Sequence, residues 1–301
     1  MKNGLLIYDS ARAEINKDFI EHYIDIGDKY GFNIKLCIID DPESENYSCR
    51  LDYLNSISHG PRPDFAIIRT QDYSLQRYLG ERGIITHNNF DVAYYANHKG
   101  RCIDYISKNS EVSCPETLTI MRNSDMSFFN KYNSFVVKSA SGHGGNEVFR
   151  FDKSAAIRNK QNDIGIDLFE SADSDCIKEI IKYDDLVIQP YIEGPGSDVR
   201  VYVVFNKIVA AVKRTALEGE FRSNFSLGGT IEPYDLSDSE TETVNKIIKL
   251  FDFSMAGIDF IIDKNGEFVF NEIEDIVGSR MLYKTHPDMD ILDIFFRRLS
   301  E

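Results

Sequence analysis

The sequence predicts an α/β protein whose second half is α+β. Three observations predict it. Short apolar runs alternate with helical periodicity through the first 90 residues, a glycine-rich stretch at 139–146 separates two strand-like runs, and from residue 186 the chain becomes rich in strands. Alternation of strand and helix is the pattern of a small parallel sheet covered by helices.

Each element follows from its pattern. LLIY at 5–8 reads as a short buried strand, and AEINKDFIEHYIDIGDKYG carries apolar residues at helical spacing until it stops at Gly31. NIKLCIID at 33–40 and DFAIIR at 64–69 read as strands, SLQRYLGERG as a helix, and IITHN follows it; this unit ends near residue 90. DVAYYANHKGRCIDYISKN is helical in pattern and polar enough for a surface connector, and SFVVKSASGHGGNEVFRF is strand, glycine loop, strand. Residues 153–182 are polar and charged. DLVIQPYI, SDVRVYVVF and KIVAAVKR then read as strands, TETVNKIIKLF as a helix, SMAGIDFIID and GEFVFNEIE as strands, and MDILDIFFRRLS as an amphipathic helix. Three domains are expected: 1–90, 91–183 and 184–301.

Composition narrows the function classes. A net charge of −15 opposes a nucleic-acid or anionic-membrane surface. Five cysteines without a C-x-x-C pair read as scattered reduced thiols, no stretch approaches 18 apolar residues, and the first residues lack the apolar run of a signal peptide. The expectation is a cytoplasmic protein.

Three stretches carry chemistry. In SASGHGGNE, glycines let backbone N–H groups converge on an anion, and Lys138 sits at the end of the preceding strand, an arrangement that suits a nucleotide phosphate. An ordinary hairpin turn is the competing reading. In VIQPYIEGPGSDVRVYVV, a strand runs into Pro190, which keeps its C=O, and Ile192, which keeps its N–H; adenine needs one acceptor and one donor, and Asp198 suits ribose hydroxyls. The competing reading is a strand corner with a solvated Asp. In GIDF and FVFNEIED, Asp259 lies inside an apolar strand, and Glu272 and Glu274 share a face of the next by period-two spacing. Carboxylates on adjacent buried strands repel unless a cation sits among them, and all-oxygen ligation selects Mg²⁺ or Mn²⁺. A solvated sheet face is the alternative.

With these pieces in order, the chain resembles the ATP-grasp superfamily, and residues 186–273 look like its RimK-like (ribosomal-protein glutamate ligase) family. SDVRVYVV, KIVAAVKR, EGEFRSNFSLGG, AGIDF and FNEIE carry the resemblance, and HNNFDVAYYANHKG is similar to that family's approach to its central domain, with Lys99 at the matching lysine. Similarity covers roughly residues 87–275; the first 85 match only in general α/β character.

The resemblance implies an ATP-grasp fold with a Rossmann-like N-terminal domain, and an ATP-dependent carboxylate–amine ligase that works through an acyl phosphate and releases ADP and phosphate. It implies that Arg222 and Asn224 face the γ-phosphate and the acyl phosphate. ATP contacts are expected from Lys99, Lys138, Gly142, Gly144, Gly145, Gln189, Pro190, Tyr191, Ile192, Asp198, Lys213 and Ser223, and Mg²⁺ (or Mn²⁺) ligation from Asp259, Glu272 and Glu274. Two departures stand out. The family usually reads Glu-x-Asn where this chain has Glu272-Ile-Glu274, and its Ser-Pro-Gly turn is replaced by DIVGSRMLY, where Arg280 and Tyr283 either line a different substrate pocket or pack locally. Small carboxylate and amine substrates (an amino acid, a peptide or a carrier-protein tail) and a homo-oligomer fit the family. An ATP-grasp kinase and a non-catalytic ATP-binding module are the other readings.

Overall fold

The computed structural model describes residues 1–39, 62–120, 131–142, 147–152, 177, 179–180, 182–217 and 228–301. Three sheets organise them. The first is wholly parallel, in the order β2-β1-β3-β4, and consists of β1 (Lys2–Tyr8), β2 (Phe32–Ile38), β3 (Phe65–Ile68) and β4 (Ile85–His87). Between β1 and β2 the expected single helix is two, α1 (Ser10–Ile15) and α2 (Lys17–Lys29). The break falls at Asn16, whose side-chain amide donates to the Arg12 carbonyl at 2.7 Å and competes with the helical ladder. Helix α3 (Tyr73–Glu81) precedes β4.

The next helical stretch also departs from expectation. It divides into α4 (Phe90–Ala96) and α5 (Lys99–Asn109), because His98 takes extended backbone and its Nδ1 accepts the Arg101 N–H at 3.1 Å as an N-cap. Nor is it a surface connector: Cys102, Ile103 and Ile106 are buried. The new start puts Lys99 at the first residue of a packed helix.

The second sheet is antiparallel, in the order β5-β8-β6-β7, with β5 (Leu118–Ile120), β6 (Ser134–Ser139), β7 (Val148–Asp152) and β8 (Leu186–Pro190). Strand β8 completes this sheet although it follows residue 184. The third sheet runs β11-β10-β9-β12-β13, also antiparallel, from β9 (Ser197–Val204), β10 (Lys207–Thr215), β11 (Thr230–Pro233), β12 (Met255–Ile262) and β13 (Phe268–Glu274). Helix α6 (Asp238–Ile248) opens with a capping box between Ser237 and Glu240; α7 (Arg280–Thr285) and α8 (Ile291–Ser300) end the chain.

Strand β9 is buried along its whole length. Its alternation splits two cores. Val199, Val201 and Val203 join a core with α4, α5 and α6, while Tyr202 and Val204 join one shared with β1, α2, β3 and α8. The first and third sheets therefore share apolar packing, whereas the second has its own cluster around Phe135, Val137 and Ile188. Asn88 fixes the junction of the first and third sheets. Its Nδ2 donates to the carbonyls of Met255 (2.8 Å) and Asp275 (3.0 Å), and its Oδ1 accepts the N–H groups of Ser254 (2.8 Å) and Met255 (3.1 Å). Both donors and both acceptor sites of the amide are used.

His87, next to it, sits among the rings of Phe65, Phe205 and Phe295, with Nδ1 2.7 Å from Ser254 Oγ. Burial pushes its pKa down to about 4. Unfolded histidine titrates near 6.5, so this group's stability contribution is complete above about pH 6.5 and is lost as pH falls toward 4, by roughly 3 kcal/mol at most. The melting temperature should drop across that window, and His87→Gln should flatten the drop; equal slopes for the two proteins would remove His87 as the cause.

Candidate functional site

The third sheet gathers its charges by register. Arg214 on β10 faces Asp198 on β9, Arg200 on β9 faces Asp259 on β12, and Asp259 faces Glu272 on β13. The result is one row, Asp198–Arg214–Asp259–Arg200–Glu274, buried except at Glu274, which is half-buried. Arg214 donates from Nε and Nη2 to the two oxygens of Asp198, and from Nη2 to Asp259 Oδ2 at 2.7 Å. Arg200 donates to Asp259 from Nε (2.8 Å) and Nη2 (2.7 Å), and from Nη2 to Glu274 Oε1 (2.6 Å). Gly257 makes room for this: a Cβ there would lie 3.3 Å from the Arg200 side chain and 2.8 Å from Val277.

Asp259 is 0% exposed, so the partners of the row decide whether it is charged. Burial alone would raise its pKa, but Arg200 and Arg214 outweigh burial and hold it down near 2. Burial likewise opposes charge on the guanidiniums, and the carboxylates keep both above their ordinary values. Glu274, at the end of the row, is pushed up by burial.

The other side of the site comes from α5 and the second sheet. Lys99 Nζ lies 3.4 Å from Glu272 Oε2 and donates to the Gly142 carbonyl at the start of the glycine loop. Lys138 on β6 donates to Asn271 Oδ1 at 2.9 Å, and burial pushes its pKa down to about 8. A cleft of about 190 Å³ opens beside these groups, lined by Arg12, Gln71, Asn97, Lys99, Glu274 and Asp275 among others. Burial also raises Asp275, to about 7.

The donor set fits a hard divalent cation. Asp259, Glu272 and Glu274 each bring an oxygen within 4.8 Å of the others. Asp259 already accepts three hydrogen bonds, whereas Glu272 Oε1 and Glu274 Oε2 have no hydrogen bond among the described residues. The two glutamates are thus the better placed ligands. The cations expected among these carboxylates are in the first place guanidinium groups.

The remaining expected residues fall as follows. Gly142 starts the loop; Gly144, Gly145, Arg222, Ser223 and Asn224 lie outside the described residues. Gln189 is buried and donates to Thr117 Oγ1 at 3.0 Å, Pro190 ends β8, the Tyr191 N–H is used by Ser134 O at 3.0 Å, and Ile192 follows half-buried. Both oxygens of Asp198 are engaged by Arg214. Lys213 occupies the opposite face of β10 from Arg214 and pairs with Glu232 at 3.1 Å. Arg280 is exposed at the start of α7, while Tyr283 packs edge-on to Phe19 and donates to Asp290 at 3.2 Å, the local packing that the sequence left open for it. Arg200, Arg214, Arg12, Gln71 and Asn97 are the residues that sequence reasoning missed. SDVR and KIVAAVKR held the first two in plain view, but only strand register shows that they interleave with the acids.

Removing one member of a buried charge row strands its partners. Arg214→Met should cost roughly 3–5 kcal/mol in urea unfolding. Arg214→Met combined with Asp198→Asn should recover part of that loss. A single variant as stable as the parent would show that the row does not hold the sheet.

Comparison with known proteins bears on the family and the fold. A family profile described as the RimK-like ATP-grasp domain matches residues 96–294. The uncharacterised protein MG011 of Mycoplasma genitalium is 24% identical over 299 residues, 99% of this chain and 92% of its own. A probable alpha-L-glutamate ligase of Vibrio atlanticus is 36% identical over 118 residues, 39% of this chain and 38% of its own. Among solved structures, the D-alanine–D-alanine ligase of Bacillus anthracis in complex with ATP superposes with a TM-score of 0.70 at 18% identity, over 100% of this chain and 97% of that one. The profile covers well over half of the sequence, and the fold is that of ATP-grasp ligases; the chain belongs to the RimK-like ATP-grasp family.

Proposed function

We propose that the protein is an ATP-dependent ligase that joins a small carboxylate to an amine and releases ADP and phosphate. One observation carries this reading: Lys99 and Lys138, from α5 and the second sheet, meet Glu272 and Asn271 on β13, and Lys99 and Glu272 line a small polar cleft. Such a site suits a reaction in which two anions must approach each other.

ATP and a divalent cation bound there would supply the activating phosphoryl group and the positive charge that screens it. The residues of this chain do the rest. Glu272 and Glu274 would hold the cation through their unengaged oxygens. Lys99 and Lys138 bring fixed positive charge to the phosphate side, and the partly desolvated setting of Lys138 strengthens its effect. Arg222 and Asn224, outside the described residues, are proposed to cover the acyl centre. The amine nitrogen then forms a bond to the activated acyl carbon, the carbon–oxygen bond to phosphate breaks with its electron pair going to phosphate, and the nitrogen gives up one proton. No covalent enzyme nucleophile is needed. The relatives named as glutamate ligases make glutamate the first amino acid to try, and D-alanine, used by the structural neighbour, the second.

ADP release should require Mg²⁺, a carboxylate and an amine together. Glu272→Gln should reduce it at least about a hundredfold, as loss of a charge-stabilising group does. Arg222→Ala should lower turnover by a similar factor while equilibrium dialysis shows ATP still bound. ADP release with a carboxylate alone, leaving a stable phosphorylated product, would replace the ligase with a kinase.

A further inference from the structure

The turn that opens the glycine loop is fastened from outside the loop. Glycines leave a backbone free to move, so a loop that must hold one shape needs an anchor of another kind. Here the anchor is Asp184, just before β8. Among the described residues, four hydrogen bonds end on its two oxygens. Oδ2 accepts from Ser139 Oγ and from the Ser141 N–H (2.8 Å); Oδ1 accepts from Ser141 Oγ (3.1 Å) and from the Asp185 N–H (2.9 Å). One carboxylate thus gathers the end of β6, the first residues of the loop and the approach to β8. Gly142 follows directly and is closely packed: a Cβ there would lie 2.1 Å from Glu147 Oε2 and 2.9 Å from the Ser139 side chain.

The same corner holds the start of α5. The Ala140 N–H donates to the Asp185 carbonyl at 2.9 Å, and the Ala140 carbonyl accepts the Lys99 N–H at 2.9 Å. A Cβ on Gly100 would lie 2.2 Å from Thr119 Oγ1 and 3.3 Å from Val187 Cγ2, so glycine is what lets the helix come this close to β5 and β8. His98 Nδ1 is engaged by the Arg101 N–H, which leaves the ring proton on Nε2, 3.3 Å from Asp185 Oδ2. With the backbone fixed at both ends, Lys99 Nζ donates to the Gly142 carbonyl. A lysine ammonium rides on a flexible four-carbon stem, and a fixed acceptor is what keeps it in one place.

We propose that Asp184 is a positioning residue for the reaction: it sets the turn at 139–142 so that the Gly142 carbonyl holds the Lys99 ammonium toward the phosphates of ATP. The inference rests on the ligase reading for the presence of ATP beside Lys99, and on the hydrogen bonds of the turn for the choice of residue. Asparagine cannot take its place. An amide has one oxygen, and in either orientation its NH₂ meets a backbone N–H, that of Ser141 or that of Asp185, which cannot turn round to accept. The turn then leaves its bound shape for most of the time, and ATP affinity falls with the fraction that keeps it.

The test measures Mg-ATP binding to the full chain by equilibrium dialysis, and the KM values for ATP, carboxylate and amine from ADP release. Asp184→Asn should weaken ATP binding about 10- to 100-fold, the effect of a backbone donor left facing another donor. It should raise the KM for ATP by the same factor and leave those of the carboxylate and the amine within about threefold. Ser141→Ala, which loses only the hydroxyl bond, should weaken ATP binding about 2- to 10-fold. In a Lys99→Met background, Asp184→Asn should cost less than about threefold, because the group it serves is gone. Unchanged ATP binding in Asp184→Asn, equal losses with and without Lys99, or equal rises in all three KM values would overturn the positioning role. Should Asp184→Asn melt well below wild type, Ser141→Ala carries the same cycle with Lys99→Met, and equal losses in both backgrounds overturn the role again. No ADP release with any substrate pair would overturn the ligase, and the dialysis cycle alone then decides on Asp184. Wild type that binds no Mg-ATP would overturn both.

Discussion

Everything in the site leans on two guanidiniums buried between carboxylates. Strand β9 is covered on both faces, so Asp198 and Arg200 have no water to turn to. Their charge survives only because acids and bases alternate across β10, β9, β12 and β13, each making hydrogen bonds to the next. The count does not close to zero. Asp198, Asp259 and Glu274 set three negative charges against the two of Arg200 and Arg214, a net of one negative, and Glu272 is balanced by Lys99 3.4 Å away. The row thus steadies the sheet and still presents an acidic edge to the cleft. The carboxylate cluster proposed to hold the cation and a folded core are built from one set of residues.

Much of this was legible in the sequence, and the rest was hidden for definite reasons. Period-two spacing put Glu272 and Glu274 on one face, and an aspartate inside an apolar run marked Asp259 as special; register then set Asp259 opposite Glu272. The alternation of the first 90 residues gave the parallel sheet. What stayed hidden depends on pairing between distant segments. Nothing local in SDVR says that its arginine will meet residue 259, and nothing local in VAYYANHKG says that His98 will cap a new helix that buries Cys102 and Ile103. The two helix breaks, at Asn16 and at His98, were missed for one reason: apolar periodicity carries across both, and the decision lies in a single polar side chain that bonds to nearby backbone.

The first sheet shows how a segment with weak resemblance still shapes a site. Its helices and strands are generic, and β1 and β3 are mostly core. The residues just beyond their C-terminal ends, Arg12 and Gln71, reach the cleft that Glu274 and Asp275 close from the other side. A scaffold can be common to many ligases while the few side chains at its strand ends differ from one to the next.

Asn88 has a mechanical consequence. By bonding the backbone on both sides of the β12 start and at the β13 end, it welds the first and third sheets into one jaw, and the core they share with α2 and α8 thickens the weld. The second sheet has its own apolar cluster and meets β13 in the hydrogen bond from Lys138 to Asn271. The charge row therefore rides on the welded pair of sheets, and Lys138 reaches β13 from a sheet that packs a core of its own.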